Sequence, residues 1–226
     1  MLLFIITSDR GLAGGFNTNV IRKTREAVKA LGEGMEIQTV CVGKRGADAM
    51  RRLGLPILAS FLEVTNNTSF EDVLPIGRMV VEEFKKGTFD KAVLSYTDFV
   101  SALTQSPVIL DLLPLSAQTV KGVGQVTQDG RQEDKKFTKA SEYTFEPSPH
   151  EVLDRMLPRL VETIVYQAVL ESAASEHSAR MFAMRNASDS AGEMIDDLTF
   201  TFNQARQAGI TQEIAEISSG KAALEG

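Results

Sequence analysis

From His150 to Leu224 the chain carries one proline, Pro158, and as glycines only Gly192, Gly209 and Gly220. Proline and glycine are the residues that stop helices, so a stretch this poor in both predicts one very long helix, with Gly192 as the candidate break. Leu157, Val161, Ile164 and Ala168, then Met184, Ala187, Ala191, Ile195, Leu198, Phe202, Ala205 and Gly209, step by threes and fours, which draws an apolar seam along one side. Many of these positions are alanine or glycine, small enough for a facing helix to come close. An uncapped helix of such length suits no ordinary globular packing, and a partner segment or partner chain is expected to cover it.

The region before it has a different rhythm. Leu2 to Thr7 is a continuous apolar run, as in a strand buried on both faces. Phe16, Val20, Ala27, Val28 and Leu31 share a helical face that Gly32 and Gly34 stop. Glu36 to Val42 reads as a strand, Lys44 to Leu53 as a short helix ended by Gly54 and Pro56, and Ile57 to Val64 as a third strand. Phe70, Val73, Leu74, Gly77, Val80, Val81 and Phe84 form the stripe of an amphipathic helix, with Ser69 or Thr68 as its N-cap. Ala92 to Tyr96 and Val108 to Leu113 complete the strands. Strands interleaved with helices predict an α/β fold, a mostly parallel, Rossmann-like sheet with helices on both faces. The expected organisation is an α/β domain over residues 1–149, its strands and covering helices all encoded between Leu2 and about Leu115, then the long helix over 150–226. Residues 119–139 are polar and read as an exposed hairpin or loop.

Charge excludes several functions. The net charge of −6 is spread as +4 over residues 1–60, −4 over 61–150 and −6 over 151–226, so no nucleic-acid footprint is expected. Cys41 is alone, which excludes an internal disulfide, and with His150 and His177 as the only histidines a zinc site lacks ligands. No apolar run approaches the ~18 residues of a membrane span.

Ser8-Asp9-Arg10-Gly11-Leu12-Ala13-Gly14-Gly15-Phe16-Asn17 follows the first strand, where a phosphate-binding loop would lie. Its glycine spacing matches neither the dinucleotide fingerprint nor the P-loop, so a tight structural turn is the better reading. There is no G-x-S-x-G elbow, His177 reads as a helix-surface or seam residue, and Asp196-Asp197 and Glu133-Asp134 read as solvated charge. No catalytic residue, metal site or cofactor site is predicted.

The same Ser8 to Asn17 string resembles the S-D-R-G-L-C-G-G-x-N turn of the gamma subunit of F-type ATP synthase, with Ala13 where cysteine often stands. Ile210-Thr211-Gln212-Glu213-Ile214-Ala215-Glu216-Ile217-Ser218-Ser219-Gly220 is similar to that family's C-terminal signature, although Lys221 departs from the alanine usual after the glycine. Ser175 to Met184 and Tyr143 to Pro147 also resemble family segments, so the likeness runs end to end. The family's chain opens with a long basic helix wound around the C-terminal one, whereas here Met1 leads directly into the first strand; the resemblance implies an N-terminally truncated chain.

What the resemblance implies is a rotor. In the family the gamma chain transmits torque between the membrane c-ring and the catalytic alpha and beta subunits during proton-driven ATP synthesis, contacts the epsilon subunit, and has no catalytic residue. Arg180, Arg206, Gln207, Thr211 and Glu213 match positions that resemble the family's contacts to beta, and Glu146 resembles the position facing the c-ring. Membrane association would come only through the complex, at the cytoplasmic face of a bacterial inner membrane. The competing reading of the polar residues in the 206–213 stretch is a solvated helix face stabilised by local pairs of Glu213 with Arg206 or Gln207, and it is the less favoured of the two. Two other classes stay open on the residues: an α/β nucleotide-binding module or enzyme with a C-terminal dimerisation helix, and a free-standing coiled-coil protein.

Overall fold

The computed structural model describes residues 1–31, 34–66, 68–116 and 146–225; the polar 119–139 stretch lies outside them. In chain order the elements are β1 (Leu2–Ile6), α1 (Phe16–Ala30), β2 (Gln38–Val42), α2 (Lys44–Arg52), β3 (Ile57–Phe61), α3 (Phe70–Lys85), β4 (Ala92–Phe99), β5 (Gln105–Leu113) and α4 (Pro149–Glu225). The sheet runs β3-β2-β1-β4-β5. β1 pairs in parallel with both β2 and β4, β2 with β3, and only β5 runs antiparallel, against β4. The mostly parallel sheet expected from the alternation is therefore present.

All five residues of β1 are buried, because the central strand is covered twice. Leu2, Phe4 and Ile6 point to one face with Val40, Val42, Leu94 and Tyr96, where Val73, Ile76 and Val80 of α3 meet Val161, Ile164, Val165, Ala168 and Val169 of α4. Leu3 and Ile5 point to the other face with Cys41, under Ala47 and Met50 of α2 and the partly buried Ile21 and Val28 of α1. Burial pushes the Cys41 thiol up to about 11, so it stays protonated and packs as a small apolar group. On α1 the buried Thr24 hydroxyl shares a hydrogen bond of 2.6 Å with Ser95 of β4, fixing that helix over the strand.

The strands β4 and β5 are longer than the sequence pattern suggests, running out to the pair Phe99↔Gln105. The cause is the tight connection, in which Ser101 and Thr104 exchange backbone hydrogen bonds of 3.0 and 3.2 Å and let the ladder continue to its end. Pro107 is tolerated because β5 is an edge strand. Ser69 is the N-cap of α3, its hydroxyl accepting the Asp72 N–H at 3.2 Å.

The expectation that the covering helices end near Leu115 needs correction. Val161, Ile164, Val165 and Val169 sit at 0 to 4% exposure in the main core, and at ~1.5–3 kcal/mol for each fully buried side chain they rival the whole net stability of a domain. The first part of α4 is a layer of the α/β domain, and that part of the apolar seam faces the sheet. One compact unit spans Met1–Met181 and a second Phe182–Gly226. In the second unit α4 passes Gly192 without a break, and Met194, Ile195, Leu198, Phe200 and Phe202 are exposed.

At Gly77 α3 lies close against α4: a Cβ there would stand 3.0 Å from the Glu162 Cα. Gly77→Leu should therefore destabilise the chain by about 1–3 kcal/mol beyond the ~1 kcal/mol that helix propensity returns, read as a lower urea midpoint. Gly209→Ala, at a position with open space around it, should raise helicity without such a loss.

Candidate functional site

The glycine-rich turn after β1 uses its polar groups on the protein itself. The Asp9 carboxylate accepts the Lys44 N–H at 3.0 Å through Oδ1 and the Glu63 N–H at 2.7 Å through Oδ2, tying the turn to the start of α2 and to the segment after β3. Asn17 Oδ1 accepts the Ser8 N–H at 3.0 Å while its Nδ2 donates to Ser8 Oγ at 2.7 Å. Thr7 Oγ1 accepts the Gly46 N–H at 2.8 Å and donates to the Val42 carbonyl at 3.1 Å. Gly43 has φ +91° and lies so close that a Cβ would be 2.1 Å from the Thr7 carbonyl oxygen; only glycine fits. These are stitches between strand ends, as a structural turn requires.

A second polar cluster joins the end of β4 to α4. Ser172 Oγ accepts the Thr97 N–H at 3.2 Å, Ser175 Oγ donates to the Thr97 carbonyl at 3.5 Å, and Ser178 Oγ donates to the Ala102 carbonyl at 2.6 Å. Below it, Glu162 is buried and accepts hydrogen bonds from Arg159 at 3.0 Å and from Arg78 of α3 at 3.4 Å. Glu176 is 1% exposed, with Arg180 one turn on donating to its Oε1 at 2.5 Å. Its Oε2 is buried without a hydrogen-bond partner among the described residues, so the guanidinium is what compensates the charge. Ser175, Glu176 and Ser178 lie in the string that resembles a family segment, but no anchoring role was read for them, and Glu162 and Ser172 did not stand out; the spacing of the serines by threes along α4 was the available signal. Glu171, half-buried, has its carboxyl raised by burial and by the nearby Asp98 of β4, against the lowering hydrogen bond from Gln167. Burial likewise raises Tyr96, with Glu171 and Asp98 adding to it.

Of the residues singled out in the sequence, Arg180 thus lies against the domain, while Arg206, Gln207, Thr211 and Glu213 lie on the exposed helix of the second unit. Arg206 and Glu213, seven apart, share one face; Gln207 and Thr211, four apart, share another. The Thr211 hydroxyl donates to the Gln207 carbonyl at 2.8 Å. The local pairs of Glu213 with Arg206 or Gln207 are absent among the described residues; the hydrogen bond in this turn runs from Gln212 to Glu216 at 2.9 Å. Glu146 and His177 are exposed. No group of three or more potential metal ligands occurs among the described residues.

A doubly covered α/β sheet whose last helix continues into a long exposed segment, with its chemistry spent on anchoring that helix, describes a mechanical subunit of a larger assembly. A family model described as ATP synthase matches residues 1–224. The ATP synthase gamma chain of Heliobacterium modesticaldum is 44% identical over 222 residues, covering 97% of this chain and 72% of that one. The ATP synthase gamma chain of Moorella thermoacetica is 43% identical over 221 residues, with 98% and 72% covered. In the Euglena gracilis mitochondrial ATP synthase structure of OSCP, F1 and c-ring, one chain matches with a TM-score of 0.68 at 22% identity, covering 99% of this chain and 72% of that one, a likeness of fold. The chain belongs to the ATP synthase gamma chain family, the rotor subunit of the central stalk, and a nucleotide-binding module or enzyme with a dimerisation helix is not favoured.

Arg180→Ala should cost about 3–5 kcal/mol, because it strands a buried carboxylate, and Glu176→Gln added to it should recover much of that loss in a denaturation experiment. Glu171 carries the opposite sign to a salt-bridged acid. Its native carboxyl binds the proton more tightly than the unfolded one, so its contribution is most favourable at pH below the ordinary glutamate value and is lost as pH rises through the raised value. Glu171→Gln should remove that fall, seen as a flatter plot of urea midpoint against pH.

Proposed function

We propose that this chain transmits torque as a non-catalytic central-stalk subunit, with residues 1–149 as the foot and 150–226 as the shaft helix. The observation that carries the reading is the two-part character of α4. Its first part is a core layer held by Val161 to Val169 and by the ion pair of Glu162 with Arg78 of α3, and the Phe182–Gly226 unit exposes an apolar stripe beside polar positions. Torque requires a helix that cannot turn in its seat and a surface that others can push against. On this reading Arg180, Arg206, Gln207, Thr211 and Glu213 meet the beta subunit, Glu146 faces the c-ring, and the foot meets the epsilon subunit. Arg180 then serves two roles, since its side chain is 26% exposed while paired to Glu176. ATP is made at the alpha and beta subunits, and this chain needs no cofactor of its own. It sits peripherally, at the cytoplasmic face of a bacterial inner membrane. In keeping with this, among the described residues no helix is long and apolar enough to cross a membrane.

Thr211→Ala with Glu213→Ala, introduced into the assembled enzyme, tests the residue assignment. A hydrogen bond to a charged group is worth about 1.5–3 kcal/mol, and alanine leaves a good helix former at each site. The expected result is an altered ratio of protons pumped to ATP hydrolysed, with thermal unfolding of the chain alone unchanged. If both the ratio and the hydrolysis rate stay as in the unsubstituted enzyme, the two residues are solvated helix positions and the assignment falls.

A further inference from the structure

Three acidic side chains of α4 are buried or half-buried against the domain: Glu162, Glu171 and Glu176. Glu162 has Arg78 and Arg159, and Glu176 has Arg180, whereas Glu171 has no ion pair among the described residues. Its neighbour is another acid. The half-buried Asp98 carboxyl of β4 stands within hydrogen-bonding reach of the Glu171 carboxyl. Glu171 Oε1 accepts from Gln167 Nε2 at 3.2 Å, while its Oε2 is buried and meets no donor among the described residues. The backbone brings the two acids together: the Thr97 N–H donates to Ser172 Oγ at 3.2 Å and the Thr97 carbonyl accepts from Ser175 Oγ at 3.5 Å, so the residue after Thr97 and the residue before Ser172 meet at one crossing.

Two carboxylates in contact away from bulk water repel strongly, and one proton between them turns that repulsion into a hydrogen bond. Among the described residues nothing facing the pair supplies a positive charge instead. On β4 the other titratable group of that face is the buried Tyr96, whose phenol is kept neutral by burial and by both acids. The one charged residue of β5, Asp111, pairs with Lys91 at 2.9 Å toward the other end of the strand. On α3, Arg78 is engaged with Glu162, and Glu71 and Asp72 are exposed; on α4, Arg180 lies on Glu176 and His177 is exposed.

We propose that Asp98 and Glu171 share one proton and with it form a pH-sensitive latch, which fixes the end of β4 and the turn leading to β5 onto α4. When the proton leaves to solvent, two adjacent charges push strand and helix apart. The turn loosens with them, because the same helix holds its Ala102 carbonyl through Ser178. Burial raises the Glu171 carboxyl, the Gln167 hydrogen bond lowers it and Asp98 raises it again, with a net rise. The latch is therefore closed below the ordinary glutamate range and opens as pH rises through the raised value. The inference does not rest on the torque reading, since it concerns how α4 is held and not what it drives.

The test uses the full chain. In a carboxyl-carbon NMR titration with labelled glutamate, the resonance missing from Glu171→Gln should titrate above the ordinary glutamate range, and Asp98→Asn should bring it down, because an amide donor replaces an acid. Amide exchange of Thr97 to Gln105, taken relative to an unstructured chain at each pH, should lose protection as pH rises by up to about tenfold per pH unit, the slope of one proton. Asp98→Asn and Glu171→Gln should each flatten that loss, and the two together should do no more than either alone. Exchange of the unsubstituted chain stands as a test even if a variant fails to fold. Ordinary titration of Glu171 overturns the proposal, as does a raised titration that Asp98→Asn leaves in place, since burial alone then accounts for it. Protection of the hairpin that stays constant through a raised titration means a shared proton that latches nothing. An equal loss of protection across the separate Phe182–Gly226 unit means a general effect of charge, and either result overturns the latch.

Discussion

The packing of Val161, Ile164, Val165, Ala168 and Val169 onto the strand face built by Leu2, Phe4, Ile6, Leu94 and Tyr96 is what the rest of the molecule depends on. A helix draws most of its stability in water from the tertiary burial of one face, and this contact supplies it. The same contact completes the sheet, since β1 and β4 would otherwise have one apolar face partly bare. Helix and domain are therefore a single cooperative structure over this part of the chain, and any force on α4 here is felt directly by the central strands.

Dispersion and hydrophobic contact alone would let a smooth helix slide or turn. Polar contacts remove that freedom. Glu162, held by Arg78 and Arg159, and Gly77, with no side chain to separate α3 from α4, set the height of the helix on the sheet. Ser172, Ser175 and Ser178 bond to backbone groups of the β4 end and the turn beyond it, which sets the rotation. A buried charge such as Glu162 adds little net stability, but it is strongly unfavourable in an arrangement that parts it from Arg78 of α3, and so it favours one seating of the helix. For a rotor subunit of the ATP synthase gamma chain family, a helix seated in one orientation is what torque transfer needs.

The two sides of the sheet divide the work. One side carries α3 and α4 and is nearly all core and anchoring contact. The other carries α1 and α2, and its outer surface gathers the basic residues that give residues 1–60 their net charge of +4 within an acidic chain. The family strings respect this division: the turn from Ser8 to Asn17 stitches strand ends to the start of α2, and Ser175 to Met184 includes the anchor to β4.

The sequence by itself determined the elements, because periodicity is a local property: the unbroken apolar run of β1, the stripe of α3 with its Ser69 cap, and a helix that only Pro158 and three glycines interrupt. The resemblance of its strings was enough to point to the family. What only the tertiary structure decided was the use of each face. The stripe on α4 reads the same at Val161 as at Ile195, yet the first is 2% exposed on the sheet and the second 64% exposed. Hydrophobic burial has no direction, so a pattern says that a face is apolar and never what covers it. The antiparallel pairing of β5, the reach of Arg78 on α3 to the buried Glu162 of α4 and the bonds of Ser172 and Ser175 to Thr97 were hidden for a related reason. Coulomb and hydrogen-bond energies depend on distances of a few ångströms between residues whose separation in sequence carries no such information until the chain has folded.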